Sequence, residues 1–177
     1  MSASDAFAAP VETARLALAP WGEADLGPFR RILADPRVVR FITGGEPLGD
    51  QDVQDIHQRT LRLWDEHGYG PWSATEKVSG RWVGRIGLNL LEDWPGPDRW
   101  EVGFELDPDF WGRGLAAEAG RAAVAFGFEH AGLQRIISVT VPENRASWRV
   151  MEKCGLVRQG ELDWRGTRVV WYAIDAP

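Results

Sequence analysis

The chain is short of the material that several classes of protein require. It has one cysteine, Cys154, in 177 residues. That leaves no intrachain disulfide and fits a reducing compartment. Basic residues are outnumbered 20 to 26, for a net charge of −6, where broad nucleic-acid binding wants a basic face. The same acidity is compatible with a cationic or amine ligand without selecting one. No apolar stretch reaches the length of a membrane span. The opening MSASDAFAAPVE has neither a basic leader nor an apolar segment, so no signal peptide is read there. His57, His67 and His130 fall in or at the ends of expected helices, with no metal-ligand spacing, so structural roles and no metal are expected. The expectation is a cytoplasmic protein without nucleic-acid or membrane partners, leaving monomer and homodimer both open.

What is present suits one soluble domain: 44% hydrophobic and 26% charged residues, with ten tryptophans that read as core or groove lining. Residues 1–11 read as disordered and 12–177 as a single domain. RLALAPW (15–21) reads as a strand, and residues 23–34 as a helix stopped at Asp35-Pro36. A loop at 43–49 precedes a second helix, on which Val53, Ile56, Thr60, Leu63 and Trp64 fall near helical spacing before Gly68. Two strands, 69–76 and 81–91, flank the turn KVSG. On the strand 99–106, Trp100, Val102, Phe104 and Leu106 alternate with Glu101, Gly103 and Glu105. A helix over 115–131, a nearly continuous apolar strand at 135–141, a helix capped by Asn144 and a closing hairpin around Arg165-Gly166 complete the chain. The order β-α-α-β-β-β-α-β-α-β-β has one parallel crossover unit, 99–141. That predicts an α+β fold with a mixed, mostly antiparallel sheet of about seven strands and four helices.

The stretch FWGRGLAAEA (110–119) enters a helix through Gly112, Arg113 and Gly114, with no capping side chain at the junction. The first turn of a helix leaves backbone amides without partners, and Ser, Thr, Asp or Asn usually supplies an acceptor. Here either water or an anionic ligand must do so, or Gly serves as a tolerable cap. Glycines admit close backbone approach, and a helix N-terminus favours phosphate. The Walker pattern GxxxxGK[ST] is absent. Gly112-x-Gly114-x-x-Ala117 matches a dinucleotide fingerprint, but there is one βαβ unit where several are needed, and no acidic residue stands at the required distance.

ELDPDFWGRGLAAEA (105–119) resembles the acyl-coenzyme A loop of the GNAT superfamily of N-acetyltransferases, most nearly its RimJ/RimL branch. In the family pattern (Q/R)xxGx(G/A), Gly114 and Ala116 take the last two places, and Trp111 stands where Gln or Arg is usual. VPENRASWRVMEKCGL (141–156) resembles a second segment of that branch, and RLALAPW and EVGFEL match it too. The resemblance runs from about Thr13 to Ile174. It implies that strands 99–106 and 135–141 run parallel and splay at their C-terminal ends. The pantetheine arm of acetyl-coenzyme A would lie against backbone near Phe104 and Leu106. The pyrophosphate would sit on the amides of Trp111, Gly112, Arg113, Gly114, Leu115 and Ala116.

The resemblance further implies acetyl transfer to a primary amine, on a protein N-terminus or a small molecule, by direct attack in a ternary complex. The alternative is a catalytically silent acyl-coenzyme A binding module. Arg113 reads as a phosphate contact or a solvated loop charge. Asn144 reads as a helix cap, a coenzyme ligand, or both, with its amide nitrogen left free by the cap. Ser147 reads as the acid that protonates the leaving thiolate, or as an ordinary first-turn serine. Met151 stands where many relatives carry a tyrosine acid, leaving Tyr69 or Tyr172 to replace it. Glu101, on one strand face with Glu105, is the expected general base. The two carboxylates also read as surface strand residues. Cys154 has no partner base and reads as a buried helix-end residue. Loop 43–50, the second helix and hairpin 156–174 are expected to form the acceptor pocket, with Trp64, Trp72 and Trp164 as lining or core.

Overall fold

Eight short segments, most of them rich in apolar residues, build one mixed sheet among the described residues. The computed structural model describes residues 10–177. Its strands are β1 (Val11–Glu12), β2 (Leu16–Pro20), β3 (Pro71–Glu76), β4 (Trp82–Leu90), β5 (Trp100–Leu106), β6 (Arg135–Thr140), β7 (Val157–Trp164) and β8 (Thr167–Asp175). They lie in the order β1-β2-β3-β4-β5-β6-β8-β7. Every pairing is antiparallel except β5 with β6. The expected α+β architecture is therefore present, with two differences of detail. The segment expected to be disordered ends sooner, because Val11 and Glu12 pair with Leu18 and Ala17; residues 1–9 lie outside the described residues. The first helix stops before Asp35-Pro36 as expected, at Leu33, but a short helix that was not expected starts at Pro36. Proline is tolerated at a helix's first position, and Asp35 Oδ1 accepts from the Arg37 amide at 2.9 Å.

The helices are α1 (Leu26–Leu33), α2 (Pro36–Val39), α3 (Asp50–His67), α4 (Leu115–Glu129) and α5 (Arg145–Lys153). On α3 the buried positions Val53, His57, Thr60 and Leu63 trace one helical face, and Gly68, left-handed at φ 75°, ends it. This face joins α1 and α2 in a cluster around Trp21, Phe29 and Leu33. Buried His57 accepts from Trp21 Nε1 at 2.9 Å through Nδ1 and faces Glu23 through Nε2, a structural role as expected. The main core lies on the opposite face of the sheet, where α4 and α5 cover Leu16, Leu18, Trp72, Ile86, Leu88, Val102 and Ile136. Helix α4 lies close to the strands, since a Cβ on its Gly127 would stand 2.6 Å from Ile136 Cδ1. Among the described residues, no helix is long and apolar enough to cross a membrane.

The two parallel strands barely pair. Their ladder holds one register pair, Glu101 with Ile137, supplemented by Ser138 Oγ donating to Val102 O at 2.8 Å. Beyond it β5 keeps its full ladder with β4, and β6 keeps its own with β8. A seam thus opens through the middle of the sheet toward the C-terminal ends of β5 and β6.

Candidate active site

The loop at the head of that seam is pinned at both ends. Phe110 and Leu115 are each 1% exposed, and burying such a side chain stabilises by about 1.5–3 kcal/mol. Between them Gly112 and Gly114 take φ of 73° and 78°, a region costly to residues with a Cβ. Gly114 is the residue before α4 and supplies no side-chain cap. A Cβ at Gly112 would meet nothing within 4 Å. Trp111 is exposed, and its indole N–H donates to Leu106 O at 3.0 Å. The helix start is braced from the far end of the chain. Glu118 accepts from Thr13 Oγ1, the Arg15 amide and Arg15 Nε, each at 2.7 Å, and Arg15 Nη1 donates to Arg113 O at 2.9 Å.

Several expected ligand contacts are otherwise engaged. Arg113 pairs with Glu76 and stacks over Phe110. The Leu106 carbonyl carries the Trp111 indole, and the Phe104 side chain packs against the main core. Asn144 caps α5 by accepting from the Ser147 amide at 3.2 Å. Its amide nitrogen is not left free, because it donates to Thr140 Oγ1 at 3.1 Å. Ser147 is buried one turn into α5. Met151 is buried in the main core. Neither tyrosine stands unoccupied in its place: Tyr172 is buried with its hydroxyl on Glu152 at 3.4 Å, and Tyr69 stacks among His67, Trp100 and Phe126. Cys154 is buried, and desolvation pushes its thiol up to about 11.

The face of the sheet away from α4 carries a polar row that only the register reveals. Arg85 stands opposite Glu105 and Asn89 opposite Glu101, with the glycine pair Gly87 and Gly103 between them. Arg85, 4% exposed, donates through Nη1 to both Glu105 oxygens at 3.1 and 3.2 Å, through Nε to Thr60 at 3.2 Å, and through Nη2 to Asn89 at 3.3 Å. Asn89 Nδ2 donates to Glu101 Oε1 at 3.1 Å. Burial pushes the Glu101 carboxyl up to about 7, helped by the charge of Glu105 and opposed by Asn89, Arg85 and Arg59. Glu101 also forms the single parallel register pair, so it stands at the root of the seam. A carboxyl that titrates near neutrality can take a proton from an ammonium group. Thr60 was read from the sequence only as part of a helical face, and Arg85 and Asn89 were not singled out there. Their signal was polar residues at alternate positions in WVGRIGLNL, in phase with Gly87.

Residues 15–157 match the family model described as Acetyltransferase (GNAT) domain. The chain belongs to the GNAT acetyltransferase family. This acetyltransferase is 29% identical, over 94% of its length and 80% of the relative's, to the FsC-acetyl coenzyme A-N(2)-transacetylase of Aspergillus fumigatus. Its fold superposes with a TM-score of 0.82 on an acetyltransferase of Agrobacterium tumefaciens, at 27% identity and 94% coverage of both chains. RimL, a ribosomal L7/L12 alpha-N-protein acetyltransferase solved with coenzyme A, superposes at 0.77, covering 94% of this chain and 97% of its own. Its 16% identity shows a shared fold alone. The family makes this chain an acyltransferase that uses acetyl-coenzyme A.

The aromatic residues expected around the acceptor divide. Trp72 is buried core. Trp64 donates from Nε1 to Pro71 O at 2.9 Å. Trp164 packs on Trp94 at 5.4 Å, and the adjoining Arg165 grips Asp93 at 2.6 and 2.7 Å. That clasp closes the loop after β4 over the hairpin β7–β8.

Proposed function

We propose that this acetyltransferase moves the acetyl group of acetyl-coenzyme A onto a primary amine by direct attack, with both substrates bound together. The observation that carries the reading is Glu101, a carboxyl raised to about 7 at the root of the seam, beside the bare backbone of Gly103. In this reading the thioester lies along the opened edge of β5 and its pyrophosphate sits on the amides from Trp111 to Ala116. The ammonium group of the acceptor gives its proton to the Glu101 carboxylate. The freed nitrogen lone pair attacks the thioester carbonyl, the C–S bond breaks, the departing thiolate takes a proton from Ser147 Oγ, and the second proton shed by the new amide nitrogen returns through solvent to Ser147. Asn144 holds the start of α5 so that Ser147 faces the coenzyme.

The acceptor is a small amine or a protein N-terminus. The Aspergillus relative, named for an N(2)-transacetylase reaction, supports an amine acceptor; the RimL likeness lends only fold-level support to the RimJ/RimL branch. The buried Met151 in the place of a tyrosine acid favours a second reading, a silent acyl-coenzyme A binding module. Thiol release measured with amino acids, aminoglycosides, polyamines and N-terminal peptides separates the two. Acetylated product from any acceptor set supports transfer. Tight coenzyme binding with no product from any of them leaves the silent module.

A further inference from the structure

The sheet face that carries Glu101 changes its chemistry at the seam. On the β4–β5 side it presents Arg85, Asn89, Glu101 and Glu105. Across the seam the register runs from Glu101 to Ile137 and from Ile137 to Ala173, and two residues further along Val139 stands opposite Trp171. Paired residues share a face of a sheet, and so do positions two apart on a strand. Val139 and Trp171 therefore stand on the face of Glu101, and Val139 follows Ile137 there as bare Gly103 follows Glu101. Gly160 lies opposite Trp171 on β7, and Leu162 and Trp164 follow it on the same face. Between Ile137 and Trp164 the three strands put no charged side chain on this face; Arg168, Glu161 and Asp163 pair with one another on the other. Val139, Leu162, Trp164 and Trp171 are half-buried over a buried layer of Ile137, Val169 and Ala173, so part of each stays open. Trp94, from the loop after β4, packs edge-on against Trp164 and Trp171 at 5.4 and 5.7 Å and braces both rings.

We infer that the acceptor is a small primary amine with an apolar carbon body and no carboxylate, its nitrogen at Glu101 and its body laid across Val139 and Trp171. This rests on the amine-acetylation reading above and narrows it. Two strand spacings separate β5 from β8, about 10 Å, within reach of an amine that bears one ring. The polar side of the seam suits an ammonium group and not an anion. Arg85 is the cation of that row, and its nitrogens are already engaged by Glu105, Thr60 and Asn89. A carboxylate on the acceptor would face Glu101 and Glu105 with no partner in the row, and like charges so placed repel. A polyamine or an aminoglycoside would press further ammonium or hydroxyl groups against valine, leucine and tryptophan side chains that accept no hydrogen bond, which costs their hydration.

The test uses three acceptors: 2-phenylethylamine, phenylalanine, which adds a carboxylate to the same body, and ethanolamine, which replaces the ring by a hydroxyl. Acetyl-coenzyme A turnover is followed by thiol release and product mass. The wild-type protein should prefer 2-phenylethylamine over ethanolamine by roughly 10- to 100-fold in kcat/KM, the range for burying an apolar group of side-chain size. It should disfavour phenylalanine by roughly tenfold or more. Trp171→Ala should raise KM for 2-phenylethylamine roughly tenfold. Val139→Thr, which keeps the shape and adds one hydroxyl, should raise it by less. In both variants KM for acetyl-coenzyme A should stay as it is. A fall in kcat with every acceptor, at unchanged KM, marks a general structural role and overturns the inference. Equal use of the three acceptors by the wild-type protein, or a preference for phenylalanine, overturns it without any variant, so the test survives a variant that does not fold. Acetylation of polyamines, aminoglycosides or N-terminal peptides but not of 2-phenylethylamine sinks this inference and keeps amine acetylation. Acetylation of no amine at all, with acetyl-coenzyme A still bound, sinks the broader reading.

Discussion

Replacing Glu101 by glutamine should strengthen the fold while disabling the reaction, and the two effects should share one pH. The folded carboxyl titrates near 7 and an unperturbed one near 4.5. Between those values the folded state keeps a proton that the unfolded chain has lost. Wild-type stability therefore falls as pH rises through this window, and the full penalty is in place above 7. At about 1.4 kcal/mol per pH unit the rise amounts to about 3 kcal/mol. That is a large part of the roughly 5–15 kcal/mol that holds a domain together, so denaturation will resolve it. Glutamine is neutral at every pH, and its Oε1 keeps the acceptor that Asn89 Nδ2 uses. Near pH 4 the two proteins should differ little, and above pH 8 Glu101→Gln should be the more stable by about 3 kcal/mol. Urea unfolding across pH 4 to 9 measures this. In parallel, wild-type kcat/KM should climb through about 7, whereas the variant should lose roughly 10²–10⁴ of its rate at neutral pH and recover part of it at high pH. A stability difference that does not change with pH would refute the desolvated carboxyl. A wild-type rate retained by the variant would remove Glu101 from the proton path.

Acetyl-coenzyme A at 100 times its Kd should stabilise the protein by about 2.7 kcal/mol. Gly114→Val should abolish most of that gain in a thermal-shift assay, because φ of 78° excludes a β-branched residue; a full shift in a folded variant would show that the loop does not hold the ligand. With a thiol pushed up to about 11, Cys154 stays protonated at neutral pH, so Cys154→Ser should keep its activity and intact mass should show no acetyl-enzyme. A mass gain at Cys154 would replace direct attack by a covalent route. Ser147→Ala should lower kcat with little change in coenzyme affinity, an effect confined to the transition state. Asn144→Ala should cost about 1 kcal/mol in chemical denaturation through its lost cap, and an unchanged midpoint would refute that cap.

Local chemistry carried most of the element order into the sequence. Asn144 before α5, Gly68 after α3 and the Arg165-Gly166 turn each mark a boundary by a backbone requirement that few residues meet. Asp35-Pro36 marked the end of α1 but hid the start of α2, because the same pair that ends one helix can begin the next. Val11–Glu12 is too short for any alternation to register. In the site, the period-2 face of Glu101 and Glu105 was legible on one strand. What lies opposite was not, because the register that sets Arg85 against Glu105 and Asn89 against Glu101 is decided by the whole sheet. The pairing of Arg113 with Glu76 is hidden for the same reason, since the two stand on separate elements of the fold.

The brace between Thr13, Arg15 and Glu118 makes the glycine loop a long-range object. The carboxylate that holds it and the β1–β2 turn that supplies its donors are more than 100 residues apart in sequence. Closing so wide a circuit costs chain entropy before any contact returns it, so the loop's final shape belongs to the late, slow part of folding. A fragment limited to residues 99–141 would carry both glycines and all of α4, yet lack the arginine that fixes the Arg113 carbonyl. The loop therefore cannot be transplanted as a cassette, and a cut just after Arg15 would be felt at the opposite end of the chain's history.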